Sequence, residues 1–456
     1  MTRRQILTSA AAATAAATAA VSKPSRLNAA PAITGLLDTT IERVERITIT
    51  VPFRDVAAPH MHRTNAGNWT YNEIVKVHLK CGVSGFGENI QYFLENSGDD
   101  SRVIGKRAAA EMWDDSHGTG LQQAMFDAVG RANDVPIHRL LGQKVRDRAF
   151  MSWWAIDMPA EDWVKECRLA VGEGYTAFKA KARPWFDLEK QCAALTQILP
   201  PHFEMDFDFN RMLLDSGRAV PYCVGLERFP HVAAYETPIP QSDVEGNKVL
   251  RRKTRVPIAM HYGDPPIMTL LREEICDILI IGYGATNILQ QGAVAAMANI
   301  PFWLQYVGTS ITAAYTLHLA AVLSHARWPA VTCSRIYSEP LIKPDIKVEN
   351  GSAPVPDSPG HGFDLDEDAV ERLRTPRITV NPYPPAGLLH AIRWPSGATS
   401  YYAVAQDFYK DFEGGKLPVF VPGIHMETIP DDGSREWREL QTRARTGGIH
   451  LGGRPL

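Results

Sequence analysis

The sequence predicts an α/β fold in which a small α+β domain precedes a (β/α)₈-type barrel. From about residue 150 onward, short apolar runs alternate with amphipathic stretches. The apolar runs begin roughly every 20 to 35 residues, which is the spacing of βα units with parallel strands. Eight such units in succession favour a closed barrel over an open sheet. No Gly-x-Gly-x-x-Gly follows the first of these runs, which argues against a dinucleotide-binding sheet.

The composition excludes several classes of protein. The chain has 456 residues, enough for two or three domains, and 45% of them are hydrophobic, so it is not an intrinsically disordered chain. The 48 Lys and Arg against 51 Asp and Glu give a net charge of −3. Such a balance favours neither nucleic acid nor a membrane as a partner. The six cysteines form no C-x-x-C pair, so we expect buried free thiols.

Residues 1–35 resemble a twin-arginine export signal. Arg3 and Arg4 stand directly before an apolar pair, and an Ala- and Thr-rich tract follows from Ser9 to Ala20. The small residues Ala29 and Ala30 lie in the expected cleavage region. Signals of this kind carry proteins that fold before they cross the membrane. We therefore predict a periplasmic or secreted location, and no later segment is apolar for long enough to predict a transmembrane helix.

Residues 36–147 read as the α+β domain. Alternating apolar and polar residues predict two strands, and a helical period predicts one helix. A polar loop and a glycine-rich turn separate these elements. In chain order they are the strand Ile47–Val51, the loop Phe53–Thr70, the strand Glu73–Lys80, the turn Cys81–Glu88 and the helix Gly120–Leu141.

Residues 148–372 are predicted to form the barrel. Residues 373–456 are predicted to form an irregular extension that covers the surface or a neighbouring subunit. The extension is rich in Pro, Gly and aromatic residues and shows no further βα period. The predicted barrel strands are Phe150–Ala155, Ala177–Lys181, Phe203–Asp208, Ala233–Glu236, Ile258–His261, Asp277–Ile281, Phe302–Gln305 and a weaker one near Ile336–Glu339. The helices between them include Glu161–Val171, Pro265–Glu274, Asn287–Ala298 and Ala313–Leu323.

Charged side chains stand at the carboxyl ends of four successive predicted strands, where the active site of such a barrel lies. Alternation along a strand places Lys179 and Lys181 on one face, and likewise Asp208 and Asn210. Carboxylates on adjacent strands provide the oxygen ligands that Mg²⁺ prefers. A cation nearby would lower the pKa of a lysine toward the range of a general base.

Four motifs resemble those of the enolase superfamily, in its mandelate racemase and muconate-lactonizing-enzyme branch. Gly82–Glu88 is similar to a G-x-x-G-x-G-E turn of the capping domain, and Ala124–Gly142 to an A-x-x-D-x-x-G…P-x-x-x-L-L-G helix. Glu173–Lys181 resembles the E-G-(F/Y)-x-x-x-K-x-K strand, and Pro356–Gly362 a terminal P-G-x-G signature. The resemblance spans roughly residues 41–373. It implies a (β/α)₈-type barrel with an N-terminal α+β capping domain.

The resemblance also implies a reaction and roles for particular residues. The family abstracts a proton beside a carboxylate and stabilises the enediolate with Mg²⁺. By motif position, Lys181 matches the base and Lys179 its neighbour. Asp208 matches the first metal ligand and Glu236 the second.

The sequence departs from the family pattern at the third metal ligand. The family places a glutamate five residues after the proline of the fifth strand, but five residues after Pro257 stands Tyr262. His261 or Asp264 is left to complete the site, and we favour His261. An imidazole ligand shifts the preference from Mg²⁺ toward Mn²⁺ or another divalent cation.

A second departure concerns the acid or base on the opposite side of the cavity. Where the family commonly has Asp and His, or Lys, this chain has Gly282 and Gln305, with Tyr283 and Tyr306 adjacent. Two-base racemisation is thereby disfavoured, whereas a β-elimination needs one lysine only. Tyr283, Tyr306 or His261 is a candidate acid.

The resulting prediction is a metal-dependent lyase that dehydrates an acid sugar or related hydroxy acid through an enediolate. The alternatives are an epimerase or cycloisomerase of the same superfamily, and a non-catalytic carbohydrate-binding relative. For substrate contacts we predict His60 and His62 of the capping loop, together with Asn210 and Gln305. The partner is a small carboxylate, and a homo-oligomer is expected.

Overall fold

The computed structural model describes residues 37–90, 99–385, 387–453 and 455. The predicted export signal lies outside these residues. Among the helices that the structure describes, none combines the length and apolar character needed to cross a bilayer.

The N-terminal part is an α+β domain built on an antiparallel sheet of strands β1, β2 and β3 in that order. Its strands are β1 (Ile41–Thr50), β2 (Tyr71–Leu79) and β3 (Ser84–Ile90), and its helices are α1 (Ala58–His62), α2 (Ala108–Glu111), α3 (Thr119–Ala132) and α4 (Ile137–Leu141). Short 3₁₀ helices cover Asn65–Thr70, Asp100–Arg102 and Asp115–His117.

Three local predictions for this domain need correction. The glycine-rich segment predicted as a turn is mostly strand β3. The predicted loop contains helix α1 and the 3₁₀ helix Asn65–Thr70. The single predicted helix is two helices, because Asp134 has a left-handed φ of 54° and Pro136 follows it.

The glycines of β3 allow helix α3 to lie directly on the sheet. A Cβ at Gly85 would stand 2.2 Å from the backbone nitrogen of Ala128, and one at Gly87 would stand 2.3 Å from the carbonyl oxygen of Gly120. Any side chain at these two positions would push the helix away. The G-x-x-G-x-G-E pattern is therefore a packing requirement as well as a family signature.

Two buried carboxylates join this domain to the barrel. Asp127 of α3 accepts the backbone N–H groups of Phe86 (3.0 Å) and His361 (2.7 Å), and burial raises its pKa to about 6. Glu88 of β3 accepts the backbone N–H groups of Thr309 (2.7 Å) and Thr312 (2.9 Å) at the start of a barrel helix. Burial raises the pKa of Glu88, and the orphan N–H groups of the helix N-terminus oppose this shift.

The central part is a closed barrel of parallel strands, as predicted. The hydrogen-bonded order is β10, β9, β8, β7, β6, β5, β4, β11, and a bridge between Gln305 and Val331 closes the ring. The strands are β4 (Arg148–Ala155), β5 (Ala177–Lys181), β6 (Glu204–Asp208), β7 (Val232–Glu236), β8 (Ile258–His261), β9 (Ile278–Ile281), β10 (Phe302–Leu304) and β11 (Ala330–Val331). The helices between them are α5 (Ala160–Gly172), α6 (Leu188–Thr196), α7 (Ser216–Leu226), α8 (Val244–Lys253), α9 (Ile267–Glu273), α10 (Ala285–Met297) and α11 (Ser310–Val322).

The eighth barrel strand differs from the prediction. It is the two-residue strand Ala330–Val331, whereas Ser334–Ile336 near the predicted strand is a 3₁₀ helix. Cys333 ends the strand with a left-handed φ of 59°. Short elements then follow the barrel: β12 (Ile342–Lys343), β13 (Ser352–Pro354), β14 (Asp364–Leu365) and α12 (Glu367–Arg372).

The C-terminal segment is regular, which corrects the prediction of an irregular extension. Within the described residues its strands form one antiparallel sheet in the order β17, β15, β16, β18. Short antiparallel strands joined by Pro- and Gly-rich loops show no βα period, so the sequence pattern missed them. The elements are β15 (Leu389–Arg393), β16 (Thr399–Tyr402), α13 (Ala405–Glu413), β17 (His425–Ile429), α14 (Arg435–Ala444) and β18 (Ile449–Leu451).

Candidate active site

Lysines and carboxylates meet at the carboxyl ends of β5, β6 and β7. Parallel pairing places Lys181 beside Asp208, and Asp208 beside Glu236. The Lys179, Asp208 and Glu236 side chains are all buried, whereas Lys181 keeps 19% of its side chain exposed. The structure thus brings the four predicted strand-end residues into one cluster.

The ammonium group of Lys179 is paired with both carboxylates. It contacts Glu236, lies 3.8 Å from Asp208 and donates a hydrogen bond to Gln305. The ring of Trp303 lies beneath it, with the centroid 5.6 Å from Nζ. Burial lowers the pKa of an amine, but the two carboxylates outweigh burial and raise the pKa of Lys179. This ammonium group is therefore an electrostatic partner of the carboxylates.

Lys181 is the lysine that reaches the cavity. Its Nζ lies 2.5 Å from Asp208 Oδ2 and 3.1 Å from Asn210 Oδ1. Arg183 donates to the same Asn210 oxygen (2.5 Å) and to the carbonyl oxygen of Asp208 (3.0 Å). Burial opposes ionisation of Asp208, yet Lys181 and Lys179 hold its pKa far below the ordinary value. Asn210 thus contacts the predicted base directly, and its role in substrate binding stays a prediction.

The two carboxylates fit a divalent cation, but a third protein ligand is not in place. Adjacent Asp208 and Glu236 are a donor set that Mg²⁺ accepts when water and substrate complete its six ligands. Among the described residues, no three His, Cys, Asp or Glu side chains are grouped to hold a metal ion. His261 Nε2 lies 3.2 Å from Glu236 Oε1, and Asp264 is exposed. The role of His261 as third ligand stays a prediction.

A third buried carboxyl group, Asp206, lies one layer deeper in the barrel. Burial raises its pKa to about 8, although Lys179 opposes this shift. Among the described residues, its Oδ1 has no hydrogen-bond partner. A carboxyl group in this environment is favoured in its neutral form at pH 7.

No acidic side chain can replace Gly282 without a backbone shift. A Cβ at this position would stand 2.4 Å from the carbonyl oxygen of Gln305. Tyr283 beside it is 77% exposed, at the rim of the cavity, with a φ of 68°. Tyr306 is buried, and its ring lies 5.9 Å from that of Tyr315. Of these candidate acids, Tyr283 lies at the main cavity, whereas Tyr306 lines a smaller one beside Glu88.

The cavity at the mouth of the barrel has a volume of about 450 Å³, within the range of small-molecule sites. Aromatic residues make up much of its wall, and Lys181, Arg183 and Gln305 supply polar groups. The aromatic lining residues are Trp69, Trp154, Trp185, Tyr283, Phe408 and Tyr409.

His60 and His62 do not line this cavity, contrary to prediction. His60 lies 2.8 Å from Asp162, and His62 lies 2.6 Å from the hydroxyl of Tyr383 and stacks on its ring. The capping segment instead contributes residues 64–66 and Trp69. Helix α1 turns the histidines toward neighbouring elements, which a loop prediction could not anticipate.

Arg183 and Trp185 also line the cavity and were not predicted, although a signal for both is present in the sequence. Lys179, Lys181, Arg183 and Trp185 stand at alternate positions in the sequence, and the last two follow β5 directly in the segment that leaves the mouth of the barrel. Cys333, also missed, lies at the cavity end of the eighth strand. Burial raises the pKa of its thiol to about 12, which keeps it protonated.

A closed parallel barrel with lysines and carboxylates at its strand ends is the architecture of a barrel enzyme. Residues 162–369 match the family described as enolase C-terminal domain-like. This match places the barrel in the enolase superfamily, and the similar proteins below support the predicted branch of mandelate racemase and muconate-lactonizing enzyme. The motifs, the barrel and the capping domain are thereby explained together, and the predicted family is confirmed.

Three known proteins illustrate the similarity. Chloromuconate cycloisomerase of Cupriavidus pinatubonensis is 24% identical over 339 residues, which are 66% of this chain and 90% of the relative. D-xylonate dehydratase of Haloferax volcanii is 26% identical over 289 residues, or 56% and 68%. An enolase structure from Thermobispora bispora, complexed with magnesium and formate, has a TM-score of 0.60 at 18% identity and covers 74% of this chain and 92% of its own.

Proposed function

We propose that this protein is a lyase that dehydrates a sugar acid, with Lys181 as the base that removes the proton α to the carboxylate. The observation that carries the proposal is the position of Lys181. It is the lysine of the pair that reaches the cavity, and it is held by Asp208 and Asn210. The backbone contact at Gly282 leaves no room for the acidic residue that a two-base reaction would use.

The other polar residues of the cluster position the two lysine side chains or line the cavity. Asn210 accepts hydrogen bonds from both Lys181 and Arg183, and so fixes the position of Nζ relative to the cavity. Arg183 is a fixed cation in the cavity wall, suited to a substrate carboxylate or hydroxyl group. Gln305 orients Lys179 and also faces the cavity.

Asp208 and Glu236 are the residues that would hold a divalent cation, Mg²⁺ or Mn²⁺. When bound, such a cation offsets the negative charge that develops on the substrate carboxylate. It would replace the ammonium contacts that Lys179 and Lys181 make to these carboxylates. Lys181 in its neutral form then accepts the proton.

One lysine is sufficient for a β-elimination. The Cα–H bond breaks and its proton moves to Lys181, and the Cβ–O bond then breaks as the hydroxyl leaves. The proton returns from Lys181 to that hydroxyl, so that water is released, and the resulting enol tautomerises to a 2-keto acid. D-xylonate dehydratase among the relatives is consistent with this reaction class.

Cycloisomerisation is the second candidate, because aromatic side chains make up much of the cavity wall. A chloromuconate cycloisomerase is also among the relatives. That reaction likewise needs one proton-transferring lysine. The two reactions differ in stoichiometry, since dehydration releases one water, whereas cycloisomerisation gives a product of the same mass as the substrate.

The test is a screen of sugar acids and uronates with purified protein and Mg²⁺, with 2-keto acid as the readout. Exchange of the substrate α-proton in D₂O reports the abstraction step separately. Lys181→Met keeps the apolar stem and should lower turnover roughly 10²- to 10⁴-fold, the usual contribution of a general base. Exposed Lys190→Met is the matched control. A Lys181→Met enzyme with more than about a tenth of the wild-type rate would refute Lys181 as the base, because the deficit would be under about 1.4 kcal/mol.

A further inference from the structure

Helix α13 of the C-terminal segment forms part of the wall of the active-site cavity. Ala405, Gln406, Phe408 and Tyr409 of this helix line the same cavity as Lys181. The family match ends at residue 369, so this wall lies outside the part of the chain that the family model covers.

Aromatic stacking attaches α13 to the end of barrel strand β5. The ring of Trp185 lies 4.8 Å from that of Phe408, 5.5 Å from that of Tyr409 and 5.6 Å from that of Phe412. These are the distances of stabilising aromatic pairs. Because Trp185 follows β5 closely and lines the same cavity as Lys181, the helix is fixed relative to the reacting groups.

Further contacts hold the segment in the same place. Glu413 at the end of α13 pairs with Arg211 at 2.9 Å. The ring of Phe420 lies 5.4 Å from that of Phe209, which follows strand β6 directly. The backbone N–H of Gly423 donates to Asp187 at 2.7 Å. The chain is therefore anchored to the barrel at the end of α13 and in the loop that follows it.

Tyr409 also contacts the polar part of the site. The guanidinium carbon of Arg183 lies 5.6 Å from the centroid of the Tyr409 ring, within the range of a cation–π interaction. Arg183 in turn shares Asn210 with Lys181. The aromatic wall and the cationic groups of the cavity are thus neighbours.

We propose that α13 is the specificity-determining wall of the active site, and that Tyr409 selects sugar acids in ring form over open-chain sugar acids. The Tyr409 ring provides a flat apolar platform for one face of a pyranose ring, while Arg183 receives its carboxylate. An open-chain acid has the same carboxylate and hydroxyl groups but no flat face. This inference rests on the proposed function for the choice of sugar acids.

The test compares binding of D-glucuronate, a ring-form acid, with binding of D-gluconate, an open-chain acid, by calorimetry in buffer with Mg²⁺. The full-length folded enzyme should bind D-glucuronate more tightly. Tyr409→Ala should weaken D-glucuronate binding about threefold to tenfold, the usual contribution of an aromatic contact, and change D-gluconate binding less than about twofold.

Two further variants separate a loss of aromatic stacking on the ligand from a loss of the folded structure. Tyr409→Phe keeps the ring and should keep the preference for D-glucuronate. Lys410→Ala changes an exposed neighbour on the same helix and should leave both affinities unchanged. If Tyr409→Ala unfolds, Gln406→Ala and Tyr409→Phe carry the test: removal of the Gln406 amide should alter the ratio of the two affinities in the folded protein.

The results that would refute this specificity proposal differ from those that would refute the proposed dehydratase activity. D-glucuronate binding that depends on Tyr409, without any 2-keto acid from any acid tested, would support the wall and refute the dehydratase. Equal affinities for the two acids in wild type and all variants would refute α13 as the specificity-determining wall, whether or not the enzyme converts either acid. Absence of binding for both acids up to about 10 mM would overturn it as well, because that limit corresponds to less than about 3 kcal/mol.

Discussion

Replacing Lys179 by methionine should destabilise the folded protein strongly, and neutralising Glu236 in addition should restore much of the loss. Methionine keeps the length and apolar stem of the lysine, so the substitution removes little beside the ammonium group. The two side chains are 1% and 0% exposed and in direct contact. Lys179→Met therefore leaves a buried carboxylate without its main partner.

The expected loss of stability in Lys179→Met follows from the partners that each carboxylate keeps. Asp208 keeps Lys181 at 2.5 Å, whereas Glu236 keeps, of the ionic partners among the described residues, only the partly exposed His261 at 3.2 Å. Removing one partner of a buried pair typically costs about 3–5 kcal/mol. A neutral pair of similar shape is often close to the original in stability. Lys179→Met with Glu236→Gln should then lie within about 2 kcal/mol of wild type.

Urea unfolding followed by tryptophan fluorescence, in EDTA at pH 7.5, measures these free energies of unfolding. Exposed Lys190→Met should change stability by less than about 0.5 kcal/mol. Adding Mg²⁺ should stabilise Lys179→Met more than wild type, because a bound cation then replaces the missing ammonium charge. The reasoning is refuted if Lys179→Met is as stable as wild type, or if the double variant loses as much as the two single changes added together.

Three further predictions concern stability and export. Burial lowers the pKa of His318 from 6.5 to about 3, and its Nδ1 accepts the backbone N–H of His138. The unfolded chain therefore binds the extra proton, stability falls as pH drops below 6.5, and at pH 5 this residue costs about 2 kcal/mol. His318→Asn, which retains an acceptor, should reduce the pH dependence of urea unfolding between pH 6.5 and 4.5; an unchanged slope would contradict the shift. Gly85→Ala should cost about 1–3 kcal/mol in the same assay, because its Cβ would meet the backbone of α3, whereas Gly172→Ala, at an exposed glycine without a positive φ and with no atom near its Cβ, serves as the control. We also propose export: residues 1–35 fused to a reporter that is active only outside the cytoplasm should lose export with Arg3→Lys plus Arg4→Lys, and unchanged export would reject the twin-arginine signal.

The barrel and the reacting cluster could be predicted from the sequence because both depend on local patterns. Strand and helix periods repeated often enough to define a closed βα barrel. Parallel strands align their carboxyl ends, so charged residues there meet without any knowledge of side-chain packing. Lys179, Lys181, Asp208 and Glu236 were therefore placed together correctly.

Several details were missed because they depend on contacts between distant segments. The eighth strand is two residues long and exists through its pairing with β4 and its bridge to Gln305. His60 and His62 lie where helix α1 turns them, away from the cavity. Neither feature leaves a periodic signal in the chain.

By itself, the sequence determined the barrel, the capping domain and the charged strand ends. The period of each helix or strand, and the residues at each strand end, can be recognised in short stretches of the chain. Only the tertiary structure decided that Lys179 is paired with the carboxylates while Lys181 reaches the cavity. Both lysines lie on one strand face, and their difference comes from depth in the barrel. Only the tertiary structure also placed α13 at the cavity. The physical reason is that Tyr409 and Trp185 stand more than two hundred residues apart, and their contact exists only after the C-terminal sheet has folded onto the barrel.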